Sequence, residues 1–194
     1  MSSETIRKRL HDKVVGIAGC GGLGSNCAVA LARVGVGRLI VADFDVIDAS
    51  NLDRQYFFSD QLGQKKVLAL KENIRRIDPS IRVDIHDVFL DENNIPGIFA
   101  PCEVIVEAFD KAEMKQMIIE TVLGRMKKVP VVCGVGLAGW GANRLLRVRE
   151  MDRLYICGDE QTEASEELPP LAPRVGVVAN MEANQVLEIL LGKM

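Results

Sequence analysis

Short apolar segments alternate along the chain with longer stretches in which apolar residues recur every three or four positions. The longer stretches predict amphipathic helices over residues 23–34, 64–77 and 111–127. The short segments predict buried strands over residues 14–19, 38–43, 81–88, 103–110 and 129–136. Strands that alternate with helices predict an α/β fold, here a Rossmann-like, mostly parallel sheet flanked by helices and joined by right-handed crossovers.

The C-terminal third of the chain departs from this alternation. "ANRLLRVRE", residues 142–150, predicts a strand that runs the other way and therefore an added antiparallel part. Residues 158–170 are rich in acids and contain no basic residue, which predicts a mobile loop. Residues 174–192 predict a last amphipathic helix. Since no repeat or linker interrupts the 194 residues, they are predicted to form a single domain, 1–194.

Composition and charge argue against several classes of function. A formal net charge of -3 gives no reason to expect nucleic acid as the main partner. No apolar run approaches the roughly 20 residues that span a bilayer, so no membrane segment is predicted. The basic start, "MSSETIRKRLHDK", lacks the apolar stretch of a signal peptide, which predicts a cytoplasmic location. The five cysteines include no C-x-x-C pair, which is typical of reduced thiols and not of a zinc ribbon.

A glycine-rich loop follows the first predicted strand. "GIAGCGGLGSN", residues 16–26, contains Gly19-x-Gly21-x-x-Gly24 and an additional Gly22. A loop of this kind lets backbone N–H groups and a helix N-terminus approach a phosphate. Asp43 ends the next strand, 19 residues after Gly24, where an acid accepts hydrogen bonds from ribose hydroxyls. By itself the loop is compatible with NAD, with another nucleotide, or with close packing and no ligand.

The residues after Asp43 change the balance between these alternatives. "DFDVIDASNLDRQ", residues 43–55, supplies Asp45, Asn51, Arg54 and Gln55, and "GQKK" places Lys66 at the start of the next helix. An arginine and a lysine beside a nucleotide suit a triphosphate, whose charge must be neutralised as pyrophosphate leaves. Taken singly, such residues are mostly solvated surface groups, so only their combination favours this interpretation.

The order of these motifs resembles that of a known family. "GCGGLG", "DFD", "NLDRQ", "GQKK" and an acid after the fourth strand occur in the same order in the ubiquitin-activating-type adenylyltransferases, which include ThiF, MoeB and HesA. The resemblance runs from Val14 to Gly192 and ends in "APRVGVVANMEANQVLEILLG". It implies ATP-dependent adenylation of the C-terminal glycine carboxylate of a ubiquitin-fold sulfur carrier, with release of pyrophosphate. The compact length most resembles the ThiF branch, which implies ThiS as carrier, thiamine biosynthesis and a homodimer.

The resemblance also implies roles for individual residues. The nucleotide would be bound by Gly19, Gly21, Gly22, Gly24, Asp43, Asp45, Asn51, Arg54, Gln55, Lys66 and Asp110. Within this set, Arg54 and Lys66 would stabilise the phosphate charge, and Asp110 would bind Mg²⁺ and serve catalysis. The zinc cysteines of the larger relatives are absent, so no zinc is expected. Some relatives bind the carrier covalently through a cysteine, for which Cys157 is the candidate, although an acidic setting raises the pKa of a thiol.

Several positions depart from the family's pattern. Relatives donate an upstream arginine across the dimer, and here Arg7 or Arg9 would have to substitute for it. Glu107 and Lys111 stand where relatives often have Asp and Asn, and Arg174 replaces a commonly apolar residue. These departures keep open a non-catalytic nucleotide-binding adaptor. An NAD-dependent oxidoreductase of the same topology is a further alternative, while a tRNA-modifying relative is less favoured because no basic patch stands out.

Overall fold

The fold is a seven-stranded sheet with helices on both faces, in a computed structural model that describes residues 1–193. The strands are β1 (Val14–Ala18), β2 (Arg38–Asp43), β3 (Arg82–Asp87), β4 (Val104–Glu107), β5 (Val131–Gly134), β6 (Arg147–Met151) and β7 (Leu154–Gly158). The helices are α1 (Ser3–Leu10), α2 (Gly22–Val34), α3 (Lys66–Ile77), α4 (Ile95–Ile98), α5 (Ala112–Arg125) and α6 (Ala172–Leu191).

The strand order is β3-β2-β1-β4-β5-β7-β6, and neighbouring strands run parallel except for the antiparallel pair β6 and β7. This confirms the predicted fold class. Strand β1 adjoins both β2 and β4, and the connections on its two sides lead in opposite directions across the sheet. In open α/β sheets ligands bind in the crevice at such a switch point, outside the carboxyl ends of the strands.

Two apolar clusters hold the layers together, one on each face of the sheet. Helices α2, α3 and α6 cover one face, where Ile17 of β1 packs with Leu31 of α2 and Val178 of α6 in the larger cluster. Helices α4 and α5 cover the other face, where Ile105 and Ile118 are fully buried. The central strands are therefore apolar on both sides, as their continuous apolar sequence predicts.

The structure adds elements that the apolar pattern did not predict. Helix α1 is short and mostly exposed, α4 is a single turn containing Pro96, and β7 follows β6 after a two-residue turn. The acidic segment after β7 is also anchored at its start, because Asp159 accepts a hydrogen bond from the buried Arg174. Over the described residues, no helix combines the length and apolar character needed to cross a membrane.

Candidate functional site

The glycine loop lies at the carboxyl end of β1, and two of its glycines are required by packing. Gly19 has a φ of 95°, and a Cβ there would lie 2.9 Å from the carbonyl oxygen of Ala108. A Cβ on Gly24 would collide with the carbonyl oxygen of Gly19. These two glycines therefore let the start of α2 sit tightly against the loop and against the end of β4.

The other two glycines face different surroundings. A Cβ on Gly22 would lie 3.1 Å from Val175 Cγ1 of α6 and 3.8 Å from Arg54 Cγ, so this glycine permits close approach of α6 and Arg54. A Cβ on Gly21 would meet one neighbour within 4 Å, Gln55 Nε2 at 3.8 Å, so open space lies above Gly21. The additional Gly22 thus serves packing, whereas Gly21 leaves room for a ligand.

Helix α2 begins at this open space without a side-chain cap. Gly21 is its N-cap residue, no side chain caps the helix there, and no acid lies in the first turn. The first N–H groups of a 13-residue helix therefore point, with the positive end of its dipole, toward the space above Gly21. This arrangement favours an anion such as a phosphate group.

Asp43 at the end of β2 holds the loop in place. One of its carboxylate oxygens accepts from the backbone N–H of Cys20 at 2.6 Å, and the other accepts from that of Asp45 at 2.8 Å. A carboxylate has about four acceptor sites, so both oxygens keep capacity for further donors. The ribose-binding role of Asp43 stays a prediction beside this structural one.

Arg54 and Gln55 lie next to Gly21 and Gly22. The Arg54 guanidinium donates to the carbonyl oxygen of Ser50 at 2.9 Å and to Asp53 Oδ1 at 2.7 Å, with 27% of its side chain exposed. Gln55 Oε1 is buried and has no hydrogen-bond partner among the residues that the structure describes. A buried acceptor without a donor is costly, so the Gln55 amide beside Gly21 is suited to a polar group of a ligand.

Asn51 shapes the segment that carries these two side chains. It lies in a short 3₁₀ turn, where its Oδ1 accepts from the backbone N–H of Asp48 at 3.2 Å. Its carbonyl oxygen accepts from the backbone N–H groups of both Arg54 and Gln55. The buried Asn51 therefore positions Arg54 and Gln55, and its predicted contact with the nucleotide remains a prediction.

Lys66 is paired with an acid in the structure. Its Nζ lies 2.8 Å from Asp45 Oδ2, and only 8% of the lysine side chain is exposed. The backbone N–H of Lys66 also donates to the carbonyl oxygen of Asp45 at 3.0 Å. The two predicted site residues are thus brought together, and a phosphate near Lys66 would have to share its ammonium with Asp45.

Two residues that the sequence reading did not single out connect α2 to the Arg54 segment. Ser25 Oγ accepts from the backbone N–H of Tyr56 at 2.9 Å and donates to the carbonyl oxygen of Gly21 at 2.6 Å. Asn26 Nδ2 donates to the carbonyl oxygens of Arg54 at 3.0 Å and of Gly22 at 2.7 Å. The polar pair directly after the glycines was the signal that could have revealed this role.

Asp110 lies three residues beyond β4, on the far side of the glycine loop from Asp43. Its side chain is exposed, and no group of three or more His, Cys, Asp or Glu residues able to hold a metal occurs within residues 1–193. Mg²⁺ usually takes one or two carboxylates together with phosphate oxygens. A free carboxylate at the switch point fits Mg²⁺ in that form, as a single protein ligand to an ion that arrives with a nucleotide.

Cys157 lies in a different place from the one its candidate role requires. It is fully buried in the larger apolar cluster, and burial, together with the nearby Glu182, raises the pKa of its thiol well above the ordinary value. A carrier tail cannot reach a sulfur that has no exposed surface, and a protonated thiol is a poor nucleophile. The conformation described here therefore does not support a covalent role for Cys157.

The arginines discussed as departures from the family pattern are all engaged within the chain. Arg7 donates to Asp78 and to the carbonyl oxygen of Arg33, and Arg9 donates to the carbonyl oxygen of Leu191. Arg174 is buried, where it pairs with Asp159 and donates to the carbonyl oxygen of Gly141. The structure thus gives Arg174 a role in fixing the two loops that precede α6.

Comparison with known proteins identifies a family whose model matches this chain and several proteins to which it is similar. The model of the ThiF family matches residues 2–194. A molybdopterin-synthase adenylyltransferase of Escherichia coli K12 is 28% identical over 191 residues, which cover 96% of this chain and 76% of that protein. An "adenylyltransferase and sulfurtransferase MOCS3" of Caenorhabditis briggsae is 28% identical over 190 residues, covering 94% of this chain and 47% of that protein.

A solved structure shares the fold. The E. coli tRNA N6-threonylcarbamoyladenosine dehydratase TcdA, in complex with AMP, superposes with a TM-score of 0.86 at 20% identity, covering 96% of this chain and 89% of that one. At this level of identity the likeness concerns the arrangement of strands and helices.

Proposed function

The chain belongs to the ThiF family and is a nucleotidyltransferase, and we propose that it transfers the adenylyl group of ATP to the C-terminal glycine carboxylate of a ubiquitin-fold sulfur carrier. The observation that carries this proposal is the uncapped start of α2, open above Gly21 and flanked by the unpartnered Gln55 Oε1. Arg54 beside that opening and Lys66 at the start of α3 suit the charge of a triphosphate, which favours ATP over the nicotinamide cofactor of the oxidoreductase alternative.

The chemistry requires little from the protein beyond positioning and charge. A C-terminal carboxylate is ionised at neutral pH, so it attacks the α-phosphorus of ATP without a general base. A bond forms between the carboxylate oxygen and the α-phosphorus, the bond from that phosphorus to the bridging oxygen breaks, and pyrophosphate leaves with the electron pair. Two anions must meet, so the main barrier is electrostatic.

We propose that the start of α2, Arg54 and Lys66 neutralise the negative charge of the triphosphate. The helix N-terminus would hold phosphate oxygens above Gly21. The Arg54 stem already lies against Gly22, and its guanidinium can exchange the exposed Asp53 for a phosphate. Lys66 would contribute while still paired with Asp45. Asp43 would accept from the ribose hydroxyls, and Asp110 would hold Mg²⁺, which when bound supplies positive charge to the triphosphate.

We further propose ThiS as the carrier, thiamine biosynthesis as the context and a homodimer as the assembly. These three rest on the resemblance to the compact ThiF branch. The cytoplasmic location is supported by the five cysteines, all of them free thiols in the structure, as is typical of a reducing compartment.

The decisive experiment is carrier-dependent exchange of labelled pyrophosphate into ATP, with a panel of carrier proteins that end in Gly-Gly. Exchange with a ThiS-like carrier above the others would support the full proposal, and exchange with another carrier would correct only the substrate. ATP binding with no exchange for any carrier would instead favour the non-catalytic adaptor. Light scattering of the purified protein tests the homodimer separately.

A further inference from the structure

Behind the glycine loop lies a largely buried group of ionisable side chains that the proposed chemistry does not use. Glu107 is the last residue of β4 and is fully buried, as is Glu182 of α6. The Lys115 side chain, in the first turns of α5, is 20% exposed and pairs with Glu107 at 2.9 Å. Burying such groups is expensive unless they are paired, so their retention calls for a reason.

We propose that Glu107 and Lys115 are positioning residues, which hold the turn that presents Asp110 to the nucleotide and its Mg²⁺. The inference rests on the proposed function, since it concerns the same site. It adds two residues, Glu107 and Lys115, which in our assignment contact neither ATP nor the carrier but determine the position of Asp110.

The hydrogen bonds show how the turn is held. Glu107 Oε1 accepts from the backbone N–H of Phe109 at 2.7 Å, which closes the turn immediately before Asp110. Lys115 Nζ donates to both Glu107 oxygens, at 3.2 and 2.9 Å, and to the carbonyl oxygen of Gly134 at 3.1 Å. One carboxylate and one ammonium thus join the end of β4, the start of α5 and the end of β5.

The same turn contacts the glycine loop directly. Ala108 lies in this turn, between Glu107 and Phe109. A Cβ on Gly19 would lie 2.9 Å from the carbonyl oxygen of Ala108, and a Cβ on Gly24 would lie 3.2 Å from the Cβ of Ala108. A shift of this turn would therefore move Asp110 and would at the same time displace the glycine loop. Charge-assisted hydrogen bonds are about twice as strong as neutral ones, which suits this fixing role.

Glu182 completes the group as a fully buried acid. Within the described part of the chain neither of its oxygens has a hydrogen-bond partner, and a Cβ on Gly134 would lie 3.0 Å from Glu182 Oε1. Burial raises the pKa of Glu182 well above its ordinary value; Lys115 lowers it in part and Glu107 raises it further. Of these two acids, only Glu107 lies within ion-pair distance of the Lys115 ammonium among residues 1–193.

The test compares two double variants that differ only at position 107. Both carry Lys115→Met, one with Glu107→Leu and one with Glu107→Gln, so that both charges leave together and no buried ion is left unpaired. Glutamine keeps an acceptor for the Phe109 N–H, whereas leucine removes it. Calorimetry measures ATP affinity with and without Mg²⁺ in each, beside the wild type and Asp110→Asn.

We expect the Leu variant to lose about tenfold or more of the tightening that Mg²⁺ gives to ATP binding, as for other residues that orient a metal ligand. The Gln variant should retain most of that tightening and should bind ATP without Mg²⁺ about as the wild type does. Full tightening in a folded Leu variant, or equal loss in both, would overturn the inference. Absence of any Mg²⁺ effect in the wild type would instead count against the proposed function.

A measurement on the unmodified protein covers the case in which neither double variant folds. Hydrogen exchange of the Phe109 amide should be strongly slowed, because this amide is bonded to a buried carboxylate. Exchange at the rate of an unstructured chain would contradict the assignment.

Discussion

Val175 Cγ1 of α6 lies 3.1 Å from the position that a Cβ on Gly22 would occupy. The last helix of the chain therefore packs directly on the first turn of α2, and the extra glycine of the loop is explained by this contact. Gly21, one residue earlier, has open space above it. Two adjacent glycines in one motif thus have separable roles, which leads to a first prediction.

Gly22→Ala should lower stability by about 1 kcal/mol, since overpacking a β-branched neighbour costs roughly 1–3 kcal/mol and the helix propensity of alanine offsets part of it. Gly21→Ala should instead weaken ATP binding with little change in stability. Thermal melts and calorimetry check both. In a double-mutant cycle, Gly22→Ala should cost less stability in a Val175→Ala background than in the wild type, and an equal cost in both backgrounds would argue against the contact.

Arg54→Ala should reduce carrier-dependent pyrophosphate exchange by about 10²–10³, the usual cost of removing one preorganised charge partner. Among residues 1–193 the Arg54 side chain hydrogen-bonds only to Ser50 and Asp53, so the domain should remain folded. Asp110→Ala should likewise abolish exchange. As a matched control, Arg75→Ala removes an exposed arginine paired with Glu72 on α3 and should leave exchange unchanged. Full exchange activity in a folded Arg54→Ala/Asp110→Ala variant would refute the assigned roles.

Gln55→Met should leave the ligand-free protein at least as stable as the wild type, because it removes a buried acceptor that has no partner. The same change should reduce the stabilisation that ATP confers, measured as the rise in melting temperature at a fixed ATP concentration. A large loss of stability without ATP would show that Gln55 serves the fold and not the ligand.

Glu182→Gln should change how stability depends on pH. The folded-state pKa of Glu182 is raised by burial, so the folded protein binds the proton more tightly than the unfolded chain. The contribution of Glu182 to the free energy of unfolding is then fully present below its pKa in the unfolded chain, about 4.3. This contribution is lost as pH rises toward its pKa in the folded protein, at a rate of up to about 1.4 kcal/mol per pH unit.

Denaturant titrations from pH 5 to pH 8 should therefore show a shallower loss of stability in the Gln variant than in the wild type. Glu107, Lys115 and the thiols of Cys27, Cys133 and Cys157 are present in both proteins, so the difference in slope reports Glu182 together with its electrostatic coupling to these groups. Identical pH slopes would mean that Glu182 is not a buried neutral acid.

Cys157→Ala should retain carrier-dependent exchange, since the sulfur is buried away from any carrier tail. Iodoacetamide should label the wild-type residue only after denaturation, because burial raises the pKa of the thiol as well as blocking access. Mass spectrometry of the native protein checks this, and rapid native labelling at Cys157 would restore its candidacy as a nucleophile.

The sequence predicted the order of strands and helices because each central strand is buried on both faces and reads as a continuous apolar run. It missed α4, where Pro96 and Gly97 hide a single helical turn, and α1, whose polar face dominates its eight residues. Element type was thus predictable where burial is strong and unpredictable where it is weak.

The residues of the candidate site likewise include some that were predictable from the sequence and some that were not. Gly21, Arg54 and Gln55 were predictable because local motifs carry them and the structure brings them together. The partner of Gly22 was not, because Val175 lies about 150 residues further along the chain. Likewise no pattern distinguishes the buried Glu182 from ordinary polar positions on an amphipathic helix, because its burial depends on the strands and helices that cover it.

The bond from Arg174 to the Gly141 carbonyl oxygen fixes a loop whose neighbouring residue is Trp140, with 73% of its surface exposed. It is the single tryptophan of the chain, and the adjacent Gly139 pairs with Pro170 just before α6. The protein therefore carries its single tryptophan on a firmly held loop next to the helix that packs on Gly22. The emission of Trp140 should change when a binding partner covers that face, so binding of the partner can be followed in real time with unlabelled protein.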